Sequence, residues 1–380
     1  MMNELKNDCI KYNIIVDSPG RINIIGEHTD YNNGFVLPTA IDKKIQFKFR
    51  KSDNKNKCTV YSANFDTGFA FDLESVKPSN EQWQNYILGV IYGIQQKTDD
   101  LQGFDCVLDS DIPVGSGISS SAALECGLAF GLNELFNLGL SKLEIVQIGQ
   151  KAEHDFVGTK CGIMDQFASV MSKDGHVILL DCQSLDFEYV PIEIEPYKIL
   201  LLNTNVSHNL ASGEYNKRRA TCESGVEVIK RKYPAINSLR DVSSDMLTEF
   251  KHIMDKNTFN RCSYVVDEKI RVLNSVEALK KNNLKALGFY MYETHKGLQH
   301  LYDVSCPELD FLVDFSEKYN GIIGARMMGG GFGGCTINII HKDAINSFVK
   351  EVSLAYYEKF KIKLTSFEAN PSGGTSINKG

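Results

Sequence analysis

The sequence predicts a mixed α+β chain of two domains that meet near Pro196. Three observations predict it. At 380 residues the chain is long enough for about two domains, each with its own core. A strand from near Phe104, a Gly/Ser-rich loop and a helix from Ala122 to Phe136 form one α/β unit. From Pro196 onward the texture changes to one strand (YKILLLNT), a run of helices, and strands again only near the C-terminus.

The chain is organised around Asp111–Glu125, DIPVGSGISSSAALE. Strand, glycine loop and helix N-terminus is a geometry that holds phosphate, because the free N–H groups and the helix dipole both favour negative charge. Gly115 and Gly117 let backbone approach oxygens closely. Ser116, Ser119, Ser120 and Ser121 add donors, and one such hydroxyl can also sit on a metal. The helix AALECGLAFGLNELF is apolar almost all round and should be buried. A plain N-capped loop has the same local pattern. No Gly-Lys-Ser/Thr, HRD or DFG occurs, so this is neither a Walker A loop nor a protein-kinase site.

In chain order, Ile22, Ile24 and Ile25 suggest a strand leading into GEHTDYNNG. Glu27, His28 and Asp30 fall within four positions there. A polar turn whose Asp and Asn bond their own backbone is one reading. His-x-Asp alone supplies too few ligands for a metal. A polyol fits better, since carboxylates and a neutral imidazole accept hydrogen bonds from vicinal hydroxyls. Strands near Lys44–Phe49 and Thr59–Ala63, joined by the charged turn Lys51–Lys57, look like a hairpin, and Phe69–Leu73 looks like another strand. In the helix NEQWQNYILGVIYGIQQK, Trp83 and Tyr86 share a face, as core packing or as an adenine platform.

Ser141-x-x-Glu144 starts the next helix with a capping box, and Glu153 sits late on it. Asp165 lies among Ile163, Met164 and Phe167, where a carboxylate is costly to bury unless paired. It is either a structural cap or a functional group. Helices are expected at Glu214–Lys232, Asp241–Asp255, Arg261–Lys280, Leu284–Leu301 and Pro307–Tyr319. After GIIGARMMGGGFGGCTINII come a helix (Ala344–Lys359), a last strand (Ile362–Glu368) and a tail that reads as a loop. Gly329-x-Gly331-x-x-Gly334 formally matches the dinucleotide fingerprint, but it leads into β-like CTINII where that fingerprint needs a helix. A loop closing backbone over the phosphate site, or over its neighbouring helix, fits better.

Composition sets outer limits. The chain is 43% hydrophobic and 23% charged with a net charge of −7, which argues against non-specific nucleic-acid binding. Its ten cysteines never form a CxxC pair, as expected of reduced thiols in a cytoplasmic protein. Neither a secretion signal nor a run of about 20 apolar residues is evident, so no membrane partner is expected.

SPGRINIIGEHTDYNNG, IPVGSGISSSAALE and MMGGGFGGC together resemble the GHMP small-molecule kinases. The first of these, with AEHDFVGTKCGIMDQ, is similar to the galactose-phosphorylating branch of that family. The resemblance runs from about Ser18 to the last strand. Ile118 stands where the family usually has Leu, and Met328 where that branch usually has Thr.

The resemblance implies an N-terminal ribosomal-protein-S5-domain-2-like α/β domain (1–195) and a C-terminal ferredoxin-like domain (196–380), with the active site between them. It implies a cytoplasmic monomer that uses ATP and Mg²⁺ to phosphorylate the anomeric hydroxyl of D-galactose. The products are α-D-galactose 1-phosphate and ADP, in the first committed step of galactose utilisation. By the same resemblance Arg21 and Asp165 are the catalytic pair, and Glu27, His28, Asp30, Gly162 and Tyr215 contact the sugar. Trp83, Tyr86, Gly115, Ser116, Gly117, Ser119, Ser120 and Ser121 hold ATP, and Ser121 and Glu153 hold Mg²⁺. Asp165 would take or orient the proton of the acceptor hydroxyl, while Arg21 stabilises charge on the transferred group. Alternatives are a kinase for N-acetylgalactosamine or arabinose, against which Thr29 weighs, and a catalytically silent sugar sensor, against which the intact SSSAA, Arg21 and Asp165 weigh.

Overall fold

The computed structural model describes Leu5 and residues 11–206 and 211–379. The chain opens with β1 (Ile14–Asn23), β2 (Phe35–Val36), β3 (Pro38–Lys51), β4 (Lys57–Ser62) and β5 (Thr67–Asp72). Helix α1 (Gln82–Gln95), strand β6 (Phe104–Ser110) and helices α2 (Ser120–Phe136), α3 (Lys142–Ala152) and α4 (Met164–Met171) follow. Strands β7 (His176–Asp181), β8 (Phe187–Pro191) and β9 (Tyr197–Asn203) lead to helices α5 (Ala211–Lys230), α6 (Ser244–Thr248), α7 (Lys256–Lys280), α8 (Leu284–Gly297) and α9 (Pro307–Glu317). The chain closes with β10 (Ile322–Met327), β11 (Cys335–His341), α10 (Ile345–Phe360), β12 (Thr365–Glu368), β13 (Pro371–Ser372) and β14 (Ser376–Ile377).

The first sheet runs β14-β1-β3-β6-β4-β5, with β13 also on β3. The expected β3–β4 hairpin does not form. Strand β6 lies between them, antiparallel to β3 and parallel to β4. The reason is burial: Phe104 to Leu108 are all inside, and a strand covered on both faces belongs in the sheet interior. Strand β4 forms its hairpin with β5 instead. Helices α2 and α4 pack on β1 and β3, as the apolar character of α2 led us to expect. Gly127 and Gly131 allow that closeness: a Cβ there would lie 2.1 Å from the Phe47 ring and 2.0 Å from the Phe49 ring. The α2 N-terminus is thus anchored to a rigid sheet.

The second sheet has the antiparallel order β10-β11-β9-β12, with helices between β9 and β10 and between β11 and β12. That is the ferredoxin-like arrangement. Its strands alternate between two interiors. Leu200 and Leu202 face α9 and α10, in a core with Phe348 and Tyr356, while Ile199 and Leu201 join the larger core around the first sheet. The third sheet is β2-β7-β8.

Two further expectations are corrected. The tail is not simply a loop, because β13 and β14 return to pair with β3 and β1. The helix expected over Asp241–Asp255 is broken. Ser243 restarts it by accepting from the Met246 amide, and Asp255 restarts it again by accepting from Asn257 and Thr258. The Ser141–Glu144 capping box is present with both of its bonds. Among the described residues no helix is long and apolar enough to cross a membrane, and the nine cysteines are free.

Candidate active site

The end of β1 and the turn after it carry Arg21, Glu27, His28 and Asp30. Arg21 is 4% exposed and grips Asp165, in the first turn of α4, with two parallel bonds: Nε to Oδ1 at 2.7 Å and an outer guanidinium nitrogen to Oδ2 at 2.9 Å. Such a fork fixes orientation as well as charge. The remaining guanidinium nitrogen donates to the Gly117 carbonyl at 2.7 Å, tying the pair to the phosphate loop. The carboxylate bonds of Asp165 go to side chains, those of Arg21 and Ser119. Ser119, in the left-handed region at φ 57, directs its hydroxyl to Asp165.

Glu27 is 1% exposed, and its oxygens are engaged by the Asn23 amide, the Gly329 N–H (2.8 Å) and Arg326 (3.1 Å). It links the turn after β1 to the glycine-rich loop between β10 and β11. His28 is ringed by Tyr31, Tyr215 and Tyr302, with centroids 4.9 to 5.9 Å away. Burial, then the Arg218 charge, hold its imidazole down to about 3, so it is neutral at physiological pH. Burial first, then the Asp165 charge, push Asp30 up to about 7. Gly162 lies directly against Asp30; a Cβ there would meet its carboxylate oxygen at 2.0 Å. Tyr215 packs over Gly330 of the glycine-rich loop.

Next to this turn lies a cavity of about 290 Å³ lined by Arg21, Tyr86, Gly115, Ser116, Gly117, Ser119, Ser120, Ser121, Asp165 and Gly330, among others. A second cavity of about 460 Å³ shares Tyr86, Ser120 and Ser121 with it and is otherwise mostly apolar, with Trp83, Val114 and Leu124 on its walls. Trp83 and Tyr86 thus face one space. The glycine-rich loop closes on the phosphate loop, as its sequence suggested: a Cβ on Gly329 would come within 3.1 Å of the Gly117 carbonyl. The run then enters strand β11. Met328 is buried in the core behind it.

Ser121 and Glu153 come together: burial, the larger effect, pushes the Glu153 carboxyl up to about 7, and the nearby Ser121 hydroxyl works against that rise. Glu153 opens a single π-helical turn, Glu153–Val157, at the end of α3. No group of three His, Cys, Asp or Glu able to hold a metal occurs among the described residues. The pair nevertheless fits Mg²⁺. A buried carboxyl next to a hydroxyl, beside the Gly/Ser loop, is an oxygen-donor set that phosphate oxygens and water would complete.

Two residues here carry no sequence assignment. Arg326, fully buried, donates to the Ile24 (2.8 Å) and Met327 (2.6 Å) carbonyls and to the Asn23 carbonyl while contacting Glu27. Glu125 is fully buried on α2 and accepts from Gln166 at 3.1 Å. A single charge in the apolar run IIGARMM was the available signal for Arg326, and a carboxylate among the apolar neighbours of AALECG for Glu125.

A two-domain fold with a ferredoxin-like second half, and an anion loop facing a polar turn across a glycine-rich loop, define a small-molecule kinase of the GHMP class. Residues 85–173 match the GHMP kinases N terminal domain and residues 275–358 match the GHMP kinases C terminal. Residues 8–51 match the galactokinase galactose-binding signature. The chain is 44% identical to a galactokinase of Thermosipho africanus over 95% of this chain and 99% of that protein. It is 42% identical to a galactokinase of Thermotoga neapolitana, over 94% and 98%. The crystal structure of Lactococcus lactis galactokinase complexed with galactose superposes with a TM-score of 0.92 at 35% identity, covering 96% of this chain and 94% of that one. The mevalonate kinase of Methanococcus jannaschii, at 18% identity and a TM-score of 0.66, shares the fold. The chain belongs to the galactokinase family.

Proposed function

We propose that the protein transfers the γ-phosphoryl group of ATP to the anomeric hydroxyl of D-galactose, giving α-D-galactose 1-phosphate and ADP. The observation that carries this reading is the Arg21–Asp165 fork, set between the phosphate loop and the His28–Asp30 turn. Adenine occupies the apolar cavity against Trp83 and Tyr86, and the α2 N-terminus with its serines holds the phosphates. Galactose lies over Glu27, His28, Asp30, Gly162 and Tyr215. Asp165 receives or orients the proton of the anomeric hydroxyl, which is more acidic than an ordinary alcohol. Arg21 stabilises the charge that develops on the transferred group. Ser121 and Glu153 would hold Mg²⁺, which when bound neutralises phosphate charge. The enzyme acts as a cytoplasmic monomer.

Mixing the protein with ATP, Mg²⁺ and a panel of sugars and measuring ADP tests the assignment. Galactose is expected to be the best substrate, because a site built to hydrogen-bond a given hydroxyl rejects sugars that lack it there. Glucose turned over equally well rejects galactose specificity. Binding of galactose without ADP formation identifies a sensor.

Asp30 gives a prediction with opposite signs for stability and function. Its carboxyl sits at about 7 in the fold, against an ordinary 3.8. A raised acid pKa favours the folded state fully below the ordinary value, and that contribution is lost as pH rises through about 7. Asp30→Asn removes the cost of ionisation. The ligand-free variant should therefore melt several degrees higher than wild type at pH 8, with little difference at pH 4, while galactose affinity falls. Thermal melts at the two pH values, with galactose titrations, check this; an unchanged pH 8 melt places the ionisation cost elsewhere.

A further inference from the structure

His28 is 4% exposed, and its two ring nitrogens have different surroundings. Nδ1 lies 2.8 Å from the Tyr31 hydroxyl. That hydroxyl lies 2.8 Å from the Tyr302 hydroxyl, which in turn lies 3.3 Å from Cys222 Sγ. Nε2 makes no hydrogen bond with any described residue, although the Gly330 carbonyl faces the ring and favours a proton on it. Tyr302 and Cys222 are fully buried, so the row is closed to water at its far end.

Each group in the row has one proton to give, so the row can be ordered in two directions. In one, Nδ1–H donates to Tyr31, Tyr31 to Tyr302, and Tyr302 to sulfur, leaving Nε2 a bare acceptor. In the other, the thiol donates to Tyr302, Tyr302 to Tyr31, and Tyr31 to Nδ1, leaving the proton on Nε2. The thiol is a weak partner in either role. The difference lies at the other end, where only the second ordering leaves a proton on Nε2, the form that the Gly330 carbonyl facing the ring favours. Burial, first among several causes, raises Tyr31 and Tyr302 well above the ordinary phenol range, so both keep their protons.

We propose that Tyr31, aligned by Tyr302, is a positioning residue that fixes His28 as its Nε2–H tautomer, so that His28 donates to a sugar hydroxyl oxygen instead of accepting from it. This rests on the galactose reading above. The hydroxyl that receives the His28 proton is then free to give its own to a carboxylate, and Asp30 stands two residues further along the same turn. A hydroxyl used as acceptor and donor at once is fixed in direction, which a deoxy or differently configured sugar cannot satisfy.

The test uses the full-length enzyme, wild type, Tyr31→Phe and Tyr302→Phe, labelled with ¹⁵N in histidine. The His28 signal is assigned by its loss in His28→Gln. In wild type without sugar we expect a protonated Nε2 and a bare Nδ1. In Tyr31→Phe we expect a mixture of tautomers, a galactose KM raised about tenfold, and an unchanged ATP KM. Tyr302→Phe keeps the Tyr31 hydroxyl and should move both readouts the same way by less, which covers the case of a poorly folded Tyr31→Phe. A wild-type His28 with its proton on Nδ1 overturns the proposal, as does a pure Nε2–H tautomer in Tyr31→Phe. The spectra do not depend on turnover. Failure of the galactose reading appears separately, as wild-type enzyme that yields no ADP with galactose.

Discussion

Asp165→Asn is expected to lower kcat by about 10²–10⁴-fold, the usual worth of a positioned acid–base group, with little change in galactose KM. Asn keeps the shape and still bonds the acceptor hydroxyl, but it neither takes a proton nor balances Arg21. The geometry adds a second expected effect. Arg21 is 4% exposed, and both bonds of its fork go to Asp165, whose side chain is 29% exposed. Removing the carboxylate charge leaves a buried cation that keeps the Gly117 carbonyl and one amide-oxygen acceptor, with an NH2 group facing it where the second carboxylate oxygen was. Breaking such a pair costs about 3–5 kcal/mol when wholly buried, and about 1–3 kcal/mol is expected here because Asp165 is partly solvated. The variant should melt lower yet stay folded at assay temperature. Arg21 variants should also lose kcat, and the two losses should not add, since both residues act on one transition state. A well-folded Asp165→Asn enzyme with near-wild-type kcat removes Asp165 from catalysis.

Gly117→Val is expected to weaken ATP binding by at least about tenfold while the fold persists. Gly117 has φ +72, in the left-handed region, which strains a β-branched residue by about 1–3 kcal/mol. Its carbonyl accepts from Arg21, and the Gly329 backbone sits against it. A local shift at this residue therefore displaces its own loop, the Arg21–Asp165 pair and the glycine-rich loop together. Calorimetric titration of the folded variant with nucleotide measures the effect. An unchanged affinity excludes this loop from the phosphate site.

Local chemistry made much of the fold readable. Helix α2 carries its burial in its composition, α3 carries its start in Ser141 and Glu144, and the strand after the glycine run is β-like in its residues. The misread stretches failed for reasons that lie outside them. The β3–β4 hairpin was inferred from adjacency, whereas the pairing is decided by how much of β6 must be covered. The tail has too few residues in each strand to show a period, and its pairing depends on edges supplied by β1 and β3.

The site divides in the same way. Residue types and close spacings lie in the chain itself: carboxylates and an imidazole within four positions, serines at a helix start, glycines that tolerate positive φ. These are short-range properties; by themselves they point to an anion loop and a polyol turn, and it is the resemblance of the three motifs taken together that implies the family. Which of these groups meet was decided only by the tertiary structure. Arg21 and Asp165 are 144 residues apart, and Glu27 bonds Gly329 across 302. The row from His28 to Cys222 draws on three separate segments, and none of its members except Tyr31 lies near His28 in sequence. Hydrogen bonds over such separations form because the sheets and α2 bring their segments within a few ångströms. No periodicity or spacing in one chain encodes which distant partner a buried polar atom will find.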